Sequence, residues 1–269
     1  MQTIDANGTR IAYTTAGENG PKVVLIHGLG GSADATYGDV IDRLSSEFQV
    51  LAFDNRGVGG SAVPDGPYAL ADFARDAYAL MRAAGFDRAH VVGHSLGGMI
   101  AEQLAVDHPD AVLSLVIADA PGTLAEGARA SFRSRADTVE QGGAAAIVEG
   151  VLANGIGTQA KERRPQAVEK FKRSLLESDA RAYAASCRAA ADLDLLTRLQ
   201  AYQGPVLVVR GEQDSGVPLE AAQTLARAFA NGRFEAIPGS GHNSPFENPE
   251  VFAELVLQFV RESEGALQR

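Results

Sequence analysis

Gly93-His94-Ser95-Leu96-Gly97 follows the short apolar run Ala89-His90-Val91-Val92 and opens onto a helical pattern. A serine set between glycines at this spacing can occupy a strained strand-to-helix turn, its hydroxyl exposed and the free amides of the new helix beneath it. That arrangement presents a nucleophile. Five residues with three fixed positions also arise by chance, so the reading depends on what surrounds them.

Upstream, Val23-Val24-Leu25-Ile26 reads as a buried strand that runs into the glycine-rich loop His27-Gly28-Leu29-Gly30-Gly31, whose backbone can approach a ligand closely. Downstream, Val206-Leu207-Val208-Val209 ends in Gly211-Glu212-Gln213-Asp214, and Phe234-Glu235-Ala236-Ile237 ends in Gly239-Ser240-Gly241-His242. Between Thr9 and Asp119, β-rich runs alternate with helical patterns, which implies parallel strands joined by crossover helices. Asn7-Gly8 splits the first two runs into an antiparallel hairpin at the sheet edge. The alternation stops after Val112 to Ala118 and restarts at Pro205. The predicted architecture is α/β: a mostly parallel central sheet flanked by helices, with a helical cap inserted after the sixth strand. The core occupies residues 1-121 and 201-269, and the cap 122-200.

A chain of 269 residues that is 45% hydrophobic can bury one large core. Its formal net charge of −10 opposes nucleic-acid phosphates and anionic membranes, and the one basic cluster, Lys161-Glu162-Arg163-Arg164, reads as a solvated loop. A lone cysteine excludes an intramolecular disulfide, and Cys187 falls on one helical face with Tyr183, Ala190 and Ala191 as a packed small hydrophobe. Neither a signal peptide nor an apolar stretch of about 18 residues occurs, which points to a cytoplasmic location. No His/Cys cluster has metal-ligand spacing, and the glycine-rich loop lacks the dinucleotide fingerprint, so neither a metal nor a cofactor is expected.

A serine hydroxyl is a weak nucleophile near neutral pH and needs a base. Of the five histidines, His242 fits that role. His27 reads as a backbone support in its loop, and His90 and His108 as surface or capping residues. The His94 ring diverges from Ser95 at so sharp a turn and is expected to line a substrate pocket. A buried carboxylate must fix the tautomer of the base. Asp214 fits it best, ahead of Glu212, which lies closer to the strand; Asp119, in Ala118-Asp119-Ala120-Pro121, is the rival acid. The Leu96 amide opens a helix directly after the nucleophile and suits a developing oxyanion.

The order Ser95, Asp214, His242, the elbow, the His-Gly loop and Asp54-Asn55-Arg56-Gly57-Val58-Gly59-Gly60-Ser61 together resemble the α/β-hydrolase superfamily over nearly the whole chain. Within it, Tyr68-Ala69-Leu70-Ala71-Asp72-Phe73 and the stretch Tyr183 to Leu193 look closest to 3-oxoadipate enol-lactonase-like esterases and lactonases. The resemblance implies a serine hydrolase acting on a small-molecule ester or lactone, with Leu29 as the second oxyanion donor. A carbon-carbon bond hydrolase, a lyase, a cofactor-free perhydrolase and a non-turnover receptor are the alternatives on the same scaffold. Those lactonases usually carry tryptophans in the loop after the oxyanion strand and in the cap. This chain has none: Tyr37 takes roughly the first position, as an expected pocket residue, and Asn154-Gly155-Ile156-Gly157 the second. Oligomeric state has no signal in the sequence.

Overall fold

The structure is a computed structural model that describes residues 1–267; positions 268 and 269 of the second core segment lie outside the described residues. The chain opens with β1 (Gln2–Ala6) and β2 (Thr9–Ala16), paired antiparallel across Asn7-Gly8. Both turn residues have positive φ, 52° and 74°, the backbone that a two-residue hairpin needs and that Asn-Gly adopts readily. Strand and helix then alternate through β3 (Lys22–Ile26), α1 (Ala33–Leu44), β4 (Gln49–Phe53), α2 (Leu70–Ala83), β5 (Ala89–His94), α3 (Leu96–Asp107) and β6 (Val112–Ala118). The helices α4 (Glu126–Gly142), α5 (Val148–Gly155), α6 (Thr158–Arg163), α7 (Pro165–Leu176) and α8 (Ala180–Ala191) follow. The chain closes with β7 (Val206–Gly211), α9 (Leu219–Ala228), β8 (Gly232–Ile237), α10 (Ser244–Glu247) and α11 (Pro249–Leu267).

Among the described residues the strands form one sheet of eight in the order β1-β2-β4-β3-β5-β6-β7-β8, parallel except at the pairings of β2 with β1 and β4. The central strands read as unbroken apolar runs because both faces are covered. In β3, Val23 and Leu25 pack with Tyr37 and Val40 of α1 and Phe252 and Val256 of α11, while Val24 and Ile26 pack with Phe73 of α2 and Ile100 of α3. Strand order reverses at β3, whose neighbours are β4 on one side and β5 on the other. A crevice opens at such a switch point beyond the carboxyl ends of the strands. The glycine-rich loop and Ser95 both lie there.

Helices α4 to α8 form the helical cap between β6 and β7. Val139, Leu175, Tyr183 and Cys187 make a small apolar cluster that also takes in Leu29 of the glycine-rich loop, and the Phe171 ring stacks on Phe246 of α10 at 5.2 Å. Cys187 is the packed hydrophobe that the helical pattern implied: it is buried, and burial pushes its thiol up to about 12.

One core residue breaks the apolar rule. Glu102 on α3 is fully buried, and neither of its carboxyl oxygens has a hydrogen-bond partner among the described residues. Burial raises its pKa well above the ordinary 4.5, so the folded protein keeps a proton that the unfolded chain releases. Stability therefore falls as pH rises from that unfolded value toward the folded one, and no such loss operates below it. Glu102→Met is expected to raise the melting temperature more at pH 8 than at pH 4, by about 2–4 °C per kcal/mol relieved. Calorimetry at both pH values checks this, and an equal gain at both would refute it.

Candidate active site

Strand β5 delivers Ser95 to the elbow. Ser95 has φ 51 and ψ −118, a conformation that costs a non-glycine residue about 1–3 kcal/mol and persists because the surroundings hold it. Its N–H donates to the Ala118 carbonyl at 2.8 Å. The turn also demands close backbone contact. A Cβ on Gly93 would lie 2.2 Å from the Gly97 oxygen, and one on Gly97 would lie 2.0 Å from the Ile26 oxygen, so the glycines around Ser95 are steric requirements.

The three residues in sequence order Ser95, Asp214, His242 come together. Ser95 Oγ is 2.9 Å from His242 Nε2, and His242 Nδ1 is 3.0 Å from Asp214 Oδ2. The second Asp214 oxygen accepts the N–H groups of Gly216 and Val217 at 2.6 and 3.1 Å. Burial disfavours charge on Asp214, but the neighbouring His242 and these donors hold its pKa below the usual value. Burial also opposes a charged His242 ring; Asp214, by charge and hydrogen bond, outweighs it and raises the pKa.

Several supporting residues carried no sequence signal. The buried Arg210, at the end of β7, donates to the carbonyls of Gly211, Glu212, Asp214 and Val217 at 2.5 to 3.1 Å, clamping the acid loop from inside. Glu247 accepts the N–H groups of Gly241, Asn243 and Gly157 at 2.7 to 2.9 Å, tying the base loop to the cap. The cap turn reaches further. The Gly155 carbonyl accepts the His242 N–H at 2.9 Å, and the Asn154 carbonyl accepts the Ser215 hydroxyl at 2.8 Å. The stretch 154–157, placed by the sequence opposite a missing tryptophan, is thus a buttress for both loops. An arginine inside the strand that leads into Gly211 and a glutamate in a four-residue helix offer no periodicity or spacing that marks their backbone partners.

The N–H groups of Leu29 and Leu96 donate to no protein acceptor among the described residues. Both residues line a cavity of about 10 Å³, room for about one water, roofed by Ser178 and by Tyr183 and Ser186 of α8. A larger groove of about 550 Å³ lies between α1 and α6–α7, bridged by the Lys170–Asp34 and Arg164–Asp39 ion pairs, and no residue of the Ser95 constellation lines it.

Two expected pocket residues sit elsewhere. Tyr37 is fully buried in the layer between the sheet and α11, its hydroxyl donating to the Ile26 carbonyl at 3.1 Å, because α1 turns that face inward. His94 is 2% exposed, lines no cavity next to Leu29 and Leu96, and turns its Nε2 to the His242 carbonyl at 2.7 Å, so it braces the His242 loop. His27 supports backbone as expected, its Nε2 accepting the Asn55 N–H at 2.9 Å. His108 caps α3 and stacks on Tyr78 at 3.8 Å. His90 corrects its surface reading: it lies inside β5, fully buried, with Ser114 Oγ at 2.7 Å and Glu264 at 3.0 Å.

Residues 21–249 match the sequence profile of a family described as the alpha/beta hydrolase fold. The 3-oxoadipate enol-lactonase 2 of Acinetobacter baylyi is 27% identical over 255 residues, spanning 94% of both chains. A Variovorax paradoxus protein, assigned by name only as a carbamate hydrolase, is 32% identical over 248 residues, spanning 90% of this chain and 92% of its own. A thermophilic esterase from Thermogutta terrifontis superposes with a TM-score of 0.92 at 25% identity over 98% of this chain and 99% of its own.

Proposed function

Because the chain belongs to the alpha/beta hydrolase fold family, we propose that it is a serine hydrolase that cleaves a carboxylic ester or lactone of a small molecule through Ser95, His242 and Asp214. One observation carries the reading: an unbroken Ser95–His242–Asp214 hydrogen-bond chain, 2.9 and 3.0 Å, hung on a strained serine turn. Ser95 Oγ attacks the carbonyl carbon while its proton passes to His242 Nε2, and Asp214 stabilises the resulting imidazolium. The free N–H groups of Leu29 and Leu96 donate to the new oxyanion. On collapse the carbon-oxygen bond breaks and His242 returns the proton to the leaving alkoxide, which in a lactone stays tethered to the acyl group. Water, deprotonated by His242, then releases the acid and restores Ser95.

The cap, taken as residues 122–200, selects the acyl or alcohol portion. Among its arginines, Arg129 is occupied by the carbonyls of Leu124, Ala191 and Leu193, Arg133 by Glu126 and Asp192, and Arg188 by Asp137 and Glu140. Arg181 is exposed and lines a separate groove with Pro64 and Tyr68. Arg135 has no carboxylate within 4 Å among the described residues. It is half-buried over the Phe132 ring at 5.7 Å, and its charge is felt at both Tyr183 and His242. A guanidinium without a carboxylate partner, beside the Tyr183 that lines the cavity, favours a substrate that carries an anionic group.

Sustained turnover of a panel of small esters and lactones, each paired with an analogue bearing a carboxylate, tests the proposal. Multiple turnovers on at least one member are expected, and a single stalled burst across the panel would instead fit a receptor. Arg135→Ala is expected to raise KM about tenfold for the anionic members, the loss of one charge-assisted contact of about 1.4 kcal/mol, and to leave the neutral ones unchanged. An equal effect on both sets would remove Arg135 from substrate selection.

A further inference from the structure

Asp119 lies beneath the base without bonding to its ring. It follows β6 in a left-handed backbone conformation, φ 52, and is 1% exposed. One oxygen accepts the Gly211 N–H at 2.8 Å, at the root of the acid loop; the other accepts the N–H and hydroxyl of Ser244 at 3.1 and 2.6 Å, two residues past His242. His94 completes the brace, since its Nε2 donates to the His242 carbonyl and lies 3.7 Å from Asp119 Oδ2. A serine triad needs one carboxylate, and Asp214 supplies it. A second buried acid at the same base calls for a role of its own.

We propose that Asp119 is a positioning residue that acts through His242: it anchors the base loop by way of Ser244 and adds a second negative charge near the imidazolium, so that activation of Ser95 requires Asp119 to be ionised. The proposal rests on the reading of Ser95 and His242 as nucleophile and base.

The charges around the pair agree with it. Burial first, and the Asp214 charge second, push the Asp119 carboxyl up to about 7, against the pull of His242, the Ser244 hydroxyl and the Gly211 N–H. The ionisable groups facing the two are Asp214 in the acid loop, Glu247 on α10, His94 on β5, Tyr37 on α1 and Arg135 in the cap. Burial drives His94 down to about 3, so its ring is neutral and Nε2 carries the proton given to the His242 carbonyl. Burial raises the Tyr37 phenol well above its ordinary value. Asp119 thus exchanges its proton in the range where a histidine base does.

The rate at which a fluorophosphonate probe labels Ser95, followed from pH 5 to pH 9, needs no knowledge of the natural substrate. In the wild type the acid limb is expected to steepen toward about two log units per pH unit, since a neutral His242 and an ionised Asp119 are both required. Asp119→Asn is expected to label roughly tenfold more slowly on the plateau, the equivalent of about one pKa unit of lost imidazolium support. Its limb flattens to a slope near one and moves to lower pH, because His242 loses an anion that raised its pKa. Ser244→Ala removes a donor to the Asp119 carboxylate, favours the neutral acid and moves the limb to higher pH. General loosening of the site cannot produce opposite displacements. Limbs that keep the wild-type shape and position in both variants, or move the same way, overturn the proposal. Thermal melts establish that each variant folds; if Asp119→Asn does not, the direction of the Ser244→Ala displacement decides alone. Absence of labelling at Ser95 in the wild type overturns the underlying triad reading instead.

Discussion

Asp214→Asn is expected to lower kcat by about 10⁴, with KM and the melting transition little changed. The Asp214 carboxylate meets Nδ1 of His242 at 3.0 Å and holds the ring so that Nε2 faces Ser95. An asparagine can turn its NH2 toward that nitrogen, which favours the tautomer with the proton on Nε2, where it can no longer accept the Ser95 proton. It also deprives the imidazolium of its charge partner. The fold survives because Arg210 clamps the loop through backbone carbonyls, which the substitution leaves in place. Steady-state kinetics of Asp214→Asn beside Asp119→Asn separates the two acids. An effect that is large at Asp119 and small at Asp214 would exchange their roles.

The fold was legible because its signals are local and repeated. Each central parallel strand is an apolar run ended by glycine or a polar turn and obeys the sheet's demand for cover on both faces, as Val23 to Ile26 show by alternating between the α1–α11 layer and the α2–α3 layer. The hairpin at Asn7-Gly8 and the break in alternation after Ala118 were equally plain. Ser95, Asp214 and His242 could be read as candidates because each sits at a strand end, and strand ends are fixed by the same pattern.

What sequence could not give were contacts made across the fold. Tyr37 and His94 sit near the motif in the chain yet turn inward, since side-chain direction depends on how α1 and β5 pack and not on distance along the chain. Asp119 and Glu247 act on backbone groups of other loops, and partners 88 to 125 residues apart, such as Gly155 with Asn243 or Asp119 with Ser244, leave no periodicity. The cap arginines are identical as letters; their ranking required knowing which carboxylates lie within reach. His90 was misplaced because β5 starts one residue before it, and a one-residue shift in a strand decides which face a side chain takes.

Covalent capture of the nucleophile tests the account most directly. In the proposed mechanism the Ser95 hydroxyl becomes bonded to substrate, so every other assignment depends on it. Intact-mass analysis and peptide mapping after treatment with a fluorophosphonate are expected to show one adduct per chain, on Ser95, with complete loss of ester turnover. Ser95→Ala is expected to remain unmodified and to lose about 10⁶ in kcat, as removal of a triad nucleophile does, while retaining its melting transition. An adduct on a different residue, or undiminished turnover by Ser95→Ala, would contradict the account.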